Sequence, residues 1–133
     1  MKMTRMMAAI MLIAGTGFAL QSALAQQPEI KRTELQRHDL GTPRQEAVQF
    51  RVDFHPGAAL PKHSHPGEEI TYILEGSLEF EIEGKPTATL KAGEVLFIPA
   101  GTIHSAKNAG TTNAAAITTY VVEKGKPLVI PAK

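Results

Sequence analysis

Four side chains in this chain have the donor chemistry and the spacing that a metal ion requires: His63, His65, Glu69 and His104. Imidazole nitrogen and carboxylate oxygen are the ligands divalent first-row metals take when no thiolate is offered. The chain has no cysteine, so a soft-ligand site is excluded and a nitrogen/oxygen site remains. His63 and His65 stand two apart in a segment that reads as a strand, which points both imidazoles to one face. Pro66-Gly67 turns the chain, and Glu69 opens the next extended run, where it can face the same point. His104 comes from a later strand that a closed barrel can bring beside the first pair. Three neutral imidazoles and one carboxylate at roughly 2.0–2.2 Å complete a tetrahedral shell, or leave two positions open in an octahedral one. Open positions are where water, a substrate or dioxygen would bind. Glu68 competes with its neighbour for the carboxylate position, but parity counted from His65 selects Glu69 and turns Glu68 to solvent. His38, in a polar stretch, and His55, beside a turn, have no such company.

The segments that must position these residues read as strands. Val48, Phe50, Val52 and Phe54 alternate with Gln49, Arg51 and Asp53, a period of two. Leu60 to His65 is a short strand, and Glu69 to Leu74 resumes extended structure with β-branched and aromatic residues. Leu78, Phe80 and Ile82 alternate with Glu79, Glu81 and Glu83, which gives one buried and one solvated face. Gly84-Lys85-Pro86 turns into a return strand over residues 87–90. Val95-Leu96-Phe97-Ile98 is a continuous apolar run, suited to a strand buried on both faces. Pro99 presets the turn before His104, and Asn108 suits a turn in which its side chain bonds the backbone. Ala114 to Val122 forms a last long strand. Residues 26–42 lack a clean period and read as an irregular arm that packs across the domain or onto a partner. Residues 124–133 read as a tail. Tyr72 falls on the face opposite Glu69, and Tyr120 reads as core or interface. No convincing helical period follows Gln26, so short strands with Gly/Pro punctuation predict an all-β sandwich or barrel over residues 43–123.

The first 25 residues have a different character. Lys2 and Arg5 precede an apolar run of 15 residues, Met6 to Leu20, and Ala23-Leu24-Ala25 supplies small residues for cleavage. That combination reads as a signal peptide cut after Ala25, with export to a bacterial periplasm or beyond. The run is shorter than the roughly 20 residues a spanning helix needs, so a retained membrane anchor is not expected. Without this leader, 12 Lys+Arg face 13 Asp+Glu, a net charge of −1, and all five methionines are gone. No basic patch for nucleic acid survives. A domain of this size buries an adequate but not generous core, and a homodimer is expected to hide further apolar surface.

The two site segments together resemble the cupins. The first family motif is a glycine, five residues, His-x-His, three or four residues, Glu, six residues and a glycine; Gly57, His63, His65, Glu69 and Gly76 meet it. The second is a glycine, five residues, Pro-x-Gly, two residues, His, three residues and Asn; Gly93, Pro99, Gly101, His104 and Asn108 meet it. Only 16 residues, Ser77 to Ala92, lie between them. The chain is similar to the small single-domain secreted cupins of bacteria, and Arg32 to Leu40 shares their look. The resemblance implies a double-stranded β-helix, or jelly-roll, barrel with His63, His65, Glu69 and His104 around one divalent Mn, Fe, Ni, Cu or Zn ion. It also implies oxygenase, isomerase, lyase or decarboxylase chemistry on a small organic molecule. A dioxygenase-like enzyme for a phenolic or flavonoid-like substrate leads, with Glu69 as both ligand and proton acceptor. The alternative is a non-catalytic module that binds or senses a small ligand or a metal.

Overall fold

A computed structural model describes residues 28–133; the expected signal peptide lies outside the described residues. Ten strands and no helix make up this part of the chain. In order they are β1 (Ile30–Asp39), β2 (Gln45–Phe54), β3 (Ala59–Ser64), β4 (Gly67–Glu75), β5 (Ser77–Ile82), β6 (Ala88–Lys91), β7 (Val95–Ile98), β8 (His104–Lys107), β9 (Ala114–Glu123) and β10 (Ile130–Pro131). They form two five-stranded antiparallel sheets, β1-β2-β9-β4-β7 and β10-β3-β8-β5-β6. This is the jelly-roll arrangement expected, since half-buried strands with two-residue alternation bury their apolar faces by stacking two sheets.

The register shows how alternation builds the interior. Val52 lies opposite Ala116, Phe54 opposite Ala114, Thr71 opposite Thr118, and Glu69 opposite both Tyr120 and Ile98. All of these side chains are buried on the inner face of the first sheet. The second sheet answers with Leu78, Phe80, Ile82, Leu90 and Ala106, and together they make one apolar core. Asn108, fully buried, donates from Nδ2 to the carbonyls of Phe54 and Thr112, both at 2.9 Å, and its Oδ1 accepts from the Gly110 N–H. It ties the turn after β8 to the end of β2, the backbone role its sequence position suggests.

Three segments differ from the sequence reading. Residues 30–39, read as an irregular arm, form β1 and pair with β2 from Ile30↔Phe54 to Asp39↔Glu46, with a register shift between Glu34 and Gln36. An edge strand supported by main-chain pairing needs few apolar residues, so its polar sequence hides it. The run Val95–Ile98 is not buried on both faces: β7 is the sheet's outer strand, with Val95 68% and Phe97 54% exposed. The tail also takes part, as β10 pairs with β3 and Leu128 packs against Val48, Tyr120 and Val122.

A buried three-histidine cluster with an ionised glutamate

β3, β4 and β8 carry the four candidate ligands to one point. His63 lies opposite His104 across the β3–β8 pairing, after a register shift in β3 between Leu60 and His63. His65 follows one residue beyond the end of β3, and Glu69 is the third residue of β4. All four side chains are buried. The three histidines offer nitrogens that lie within 4.8 Å of one another. Three buried histidines so disposed can hold a metal ion.

The backbone sets which nitrogen each ring presents. His63 Nδ1 lies 2.7 Å from the Pro61 carbonyl oxygen, His65 Nδ1 2.6 Å from that of Leu128, and His104 Nδ1 2.9 Å from that of Thr102. A carbonyl oxygen can only accept, so each Nδ1 carries the hydrogen and each neutral ring turns a bare Nε2 inward. Fixing the tautomer through the second nitrogen is how proteins orient metal-binding imidazoles.

Glu69 Oε2 sits 3.0 Å from His65 Nε2 and 2.9 Å from His104 Nε2. Ligands in adjacent positions of an octahedral ion stand about 3 Å apart at the usual bond lengths. Neither Glu69 Oε2 nor His65 Nε2 makes a well-aligned hydrogen bond, although both are fully enclosed. Buried polar atoms left without a partner are costly, and a cation at this point would serve both. Glu69 Oε1 is already engaged: the Thr71 hydroxyl donates to it at 2.9 Å and is itself 3.0 Å from the Thr118 hydroxyl. Burial works to raise the Glu69 pKa, yet His104 and His65, when a proton on Nε2 points at Oε2 in place of a metal, overcome it and hold the carboxyl at about 2. Burial lowers the His63 pKa, with the His104 and His65 charges adding to it. Burial also works to lower that of His104, but Glu69 and the Thr102 carbonyl raise it overall.

A cavity of about 20 Å³ opens beside the cluster. His63, Glu69 and His104 line it together with the apolar side chains of Val52, Phe54, Leu78 and Phe80. Two residues not singled out for the site from the sequence reach it as well, Arg32 from β1 and Tyr120 from β9. The Tyr120 ring lies 4.5 Å from that of His65, centre to centre. Burial and the Glu69 charge push its phenol pKa upward, so the hydroxyl stays protonated. No local motif marks either residue; only the sheet register brings them here. The remaining candidates stay apart, as expected: His38 and His55 are exposed, Glu68 is not among the buried residues, and Tyr72 is 45% exposed on the opposite face.

A two-sheet jelly roll with a buried cluster of three histidines that could hold a metal ion defines the class of β-barrel to which this chain belongs. The chain belongs to the cupin family: residues 50–122 match its cupin-domain model, more than half of the chain. It is 37% identical over 75 residues to germin-like protein 1 of Brassica napus, covering 53% of this chain and 36% of that one. It is 43% identical over 51 residues to dimethylsulfoniopropionate lyase DddQ of Ruegeria pomeroyi, covering 38% of this chain and 25% of that protein. The matched stretch thus spans about a third or less of these curated relatives. Among solved structures, a recombinant oxalate oxidase in complex with glycolate superposes with a TM-score of 0.62 at 27% identity, covering 90% of this chain and 66% of that one.

Proposed function

We propose that this protein is an exported, metal-dependent cupin enzyme of dioxygenase-like type that acts on a small organic molecule. One observation carries the reading: three buried imidazoles, each locked by a carbonyl into presenting Nε2, converge beside an ionised carboxylate oxygen that lacks a partner. His63, His65, His104 and Glu69 would hold one divalent Mn, Fe, Ni, Cu or Zn ion. Such an ion supplies Lewis acidity and a template for substrate. Glu69 Oε1 is held by the Thr71 hydroxyl while Oε2 stands beside the Nε2 atoms of His65 and His104, an arrangement that favours ligation over proton abstraction as the role of Glu69. The cavity of about 20 Å³ is well below the hundreds of Å³ typical of sites for drug-sized ligands, so a compact molecule suits it better than a flavonoid. The relatives in the comparison include an oxalate oxidase and a lyase, which fits catalysis on small substrates.

Elemental analysis of the purified protein is expected to find about one first-row metal per chain, retained after dialysis. A protein that arrives metal-free and cannot be reconstituted overturns the proposal. The small cavity also favours a second reading, a non-catalytic metal or ligand binder. Oxygen uptake by the loaded protein against a panel of small acids, alcohols and phenols separates the two, since a binder consumes none.

The outer face of the first sheet fits the homodimer expected from chain size. Ile70 lies opposite Phe97 and Tyr72 opposite Val95, and all four side chains are close to half exposed or more. With Leu74 they form a contiguous apolar patch next to the unpaired edge of β7, a surface that monomers seldom leave open. Sedimentation equilibrium should show a dimer, and a V95E/F97E variant should sediment as a folded monomer. A wild-type monomer at tens of micromolar would remove the dimer.

A further inference from the structure

We infer that Arg32 and Tyr120 form an anion-recognition subsite in the cavity beside the histidine cluster, and that the molecule bound there is a small carboxylate. Among the described arginines, Arg37 pairs with Glu34 and Glu46, Arg44 with Glu123, and Arg51 with Asp53 and Glu75. Arg32 makes no ion pair among the described residues, yet it lines the same cavity as Glu69. Its place follows from the register. Arg32 lies opposite Val52, whose side chain belongs to the inner face of the sheet, so the guanidinium is directed inward from the edge strand. It lines the cavity together with Tyr120, among apolar side chains such as Val52 and Phe54 and polar ones that include Thr71 and Thr118.

Arg32 is half-buried and has no ion-pair partner among the described residues, so its guanidinium is available to an anion that enters the cavity. The planar fork of guanidinium N–H groups matches a carboxylate in bidentate fashion. The Tyr120 hydroxyl, which lines the same cavity and stays protonated, can donate to the same ligand. Charge counting points the same way, and here the inference rests on the metal site proposed above. A divalent ion, one carboxylate from Glu69 and one guanidinium sum to two positive charges around one small cavity. A monoanionic ligand offsets half of that excess. Val52, Phe54 and Phe80 line the same cavity, and its volume of about 20 Å³ limits the acid to the shortest carboxylates.

Acetate and acetamide, alike in size but not in charge, provide the test. Zinc binding and acetate binding are measured separately on the full-length protein by calorimetry, with NMR titrations of the zinc-free and zinc-loaded forms. Zinc-loaded wild type should favour acetate over acetamide by about ten- to a hundredfold, the range of a charged hydrogen-bonded contact. R32Q should lose that preference while binding zinc as wild type does, and R32K should recover part of it. Y120F should weaken acetate by a few-fold only. Unchanged acetate affinity in R32Q, or loss of zinc together with acetate, overturns the inference. If wild type binds no zinc but keeps an Arg32-dependent preference for acetate, the metal proposal fails and the anion subsite stands.

Discussion

Replacing His104 with alanine is expected to weaken metal binding by more than about a hundredfold and to leave a folded barrel. Removing even an outer partner of a metal ligand costs about 10–100-fold, so deleting a ligand costs more. His104 contributes twice over, through its own Nε2 and through its 2.9 Å contact with Glu69 Oε2. Without it the carboxyl loses the larger of the two histidine contacts that hold its pKa at about 2, and burial then raises that pKa. Calorimetric titration with zinc, beside circular dichroism to confirm folding, measures the effect. Unchanged affinity would exclude His104 from the site. Protonation should reproduce the same loss without mutation. A ring that has taken up a second proton cannot ligate, and His104 has its pKa raised above the ordinary 6.5, so on acidification it charges before a free imidazole would. Metal affinity should therefore begin to fall while the pH is still above 6.5 and should drop further as it passes below. An affinity that is flat from pH 8 to about 5.5 would argue against imidazole ligation.

Gly67→Ala should be among the most damaging single substitutions in the barrel. A Cβ at this position would stand 1.9 Å from the Val121 carbonyl oxygen, 2.7 Å from Val122 Cα and 2.8 Å from the Val121 carbonyl carbon. All three are backbone atoms of β9, and Gly67 lies directly opposite Val122 in the β4–β9 ladder. No side chain can rotate away, so β4 and β9 must separate at that end of the sheet. Overpacking of this kind costs about 3 kcal/mol or more. For a domain near a hundred residues that is a fall of about 12–24 °C in melting temperature. The damage should extend to the site, because Glu69 is two residues along β4 and pairs with Tyr120 on the same β9. A melting temperature within two or three degrees of wild type would show that the strands part more easily than this packing implies.

Much of the site was legible because its signals are local. His63, His65 and Glu69 fall within seven residues, and period-two alternation with one turn is enough to place them on a common face. The alternation of Leu78, Phe80 and Ile82 with Glu79, Glu81 and Glu83 likewise reads directly as one buried and one wet face, and that is how β5 lies. Where an apolar run offers no alternation, the inference fails. Val95–Ile98 reads the same whether its second face is covered by the barrel or left at an outer edge. β1 was missed for the opposite reason: its side chains are mostly exposed, and what makes it a strand is the backbone of β2 beside it.

From its sequence alone this chain specified an all-β domain and the identity of four clustered donors, since strand period, turn residues and ligand spacing act over a few positions. What surrounds those donors was decided by the tertiary structure. The Leu128 carbonyl that orients His65 lies 63 residues away from it, and Arg32 and Tyr120 reach the cavity from opposite ends of the chain. Hydrogen-bond partners and cavity walls of that kind depend on which strands pair and in what register. Those are cooperative properties of the closed barrel, and no short stretch of residues carries them.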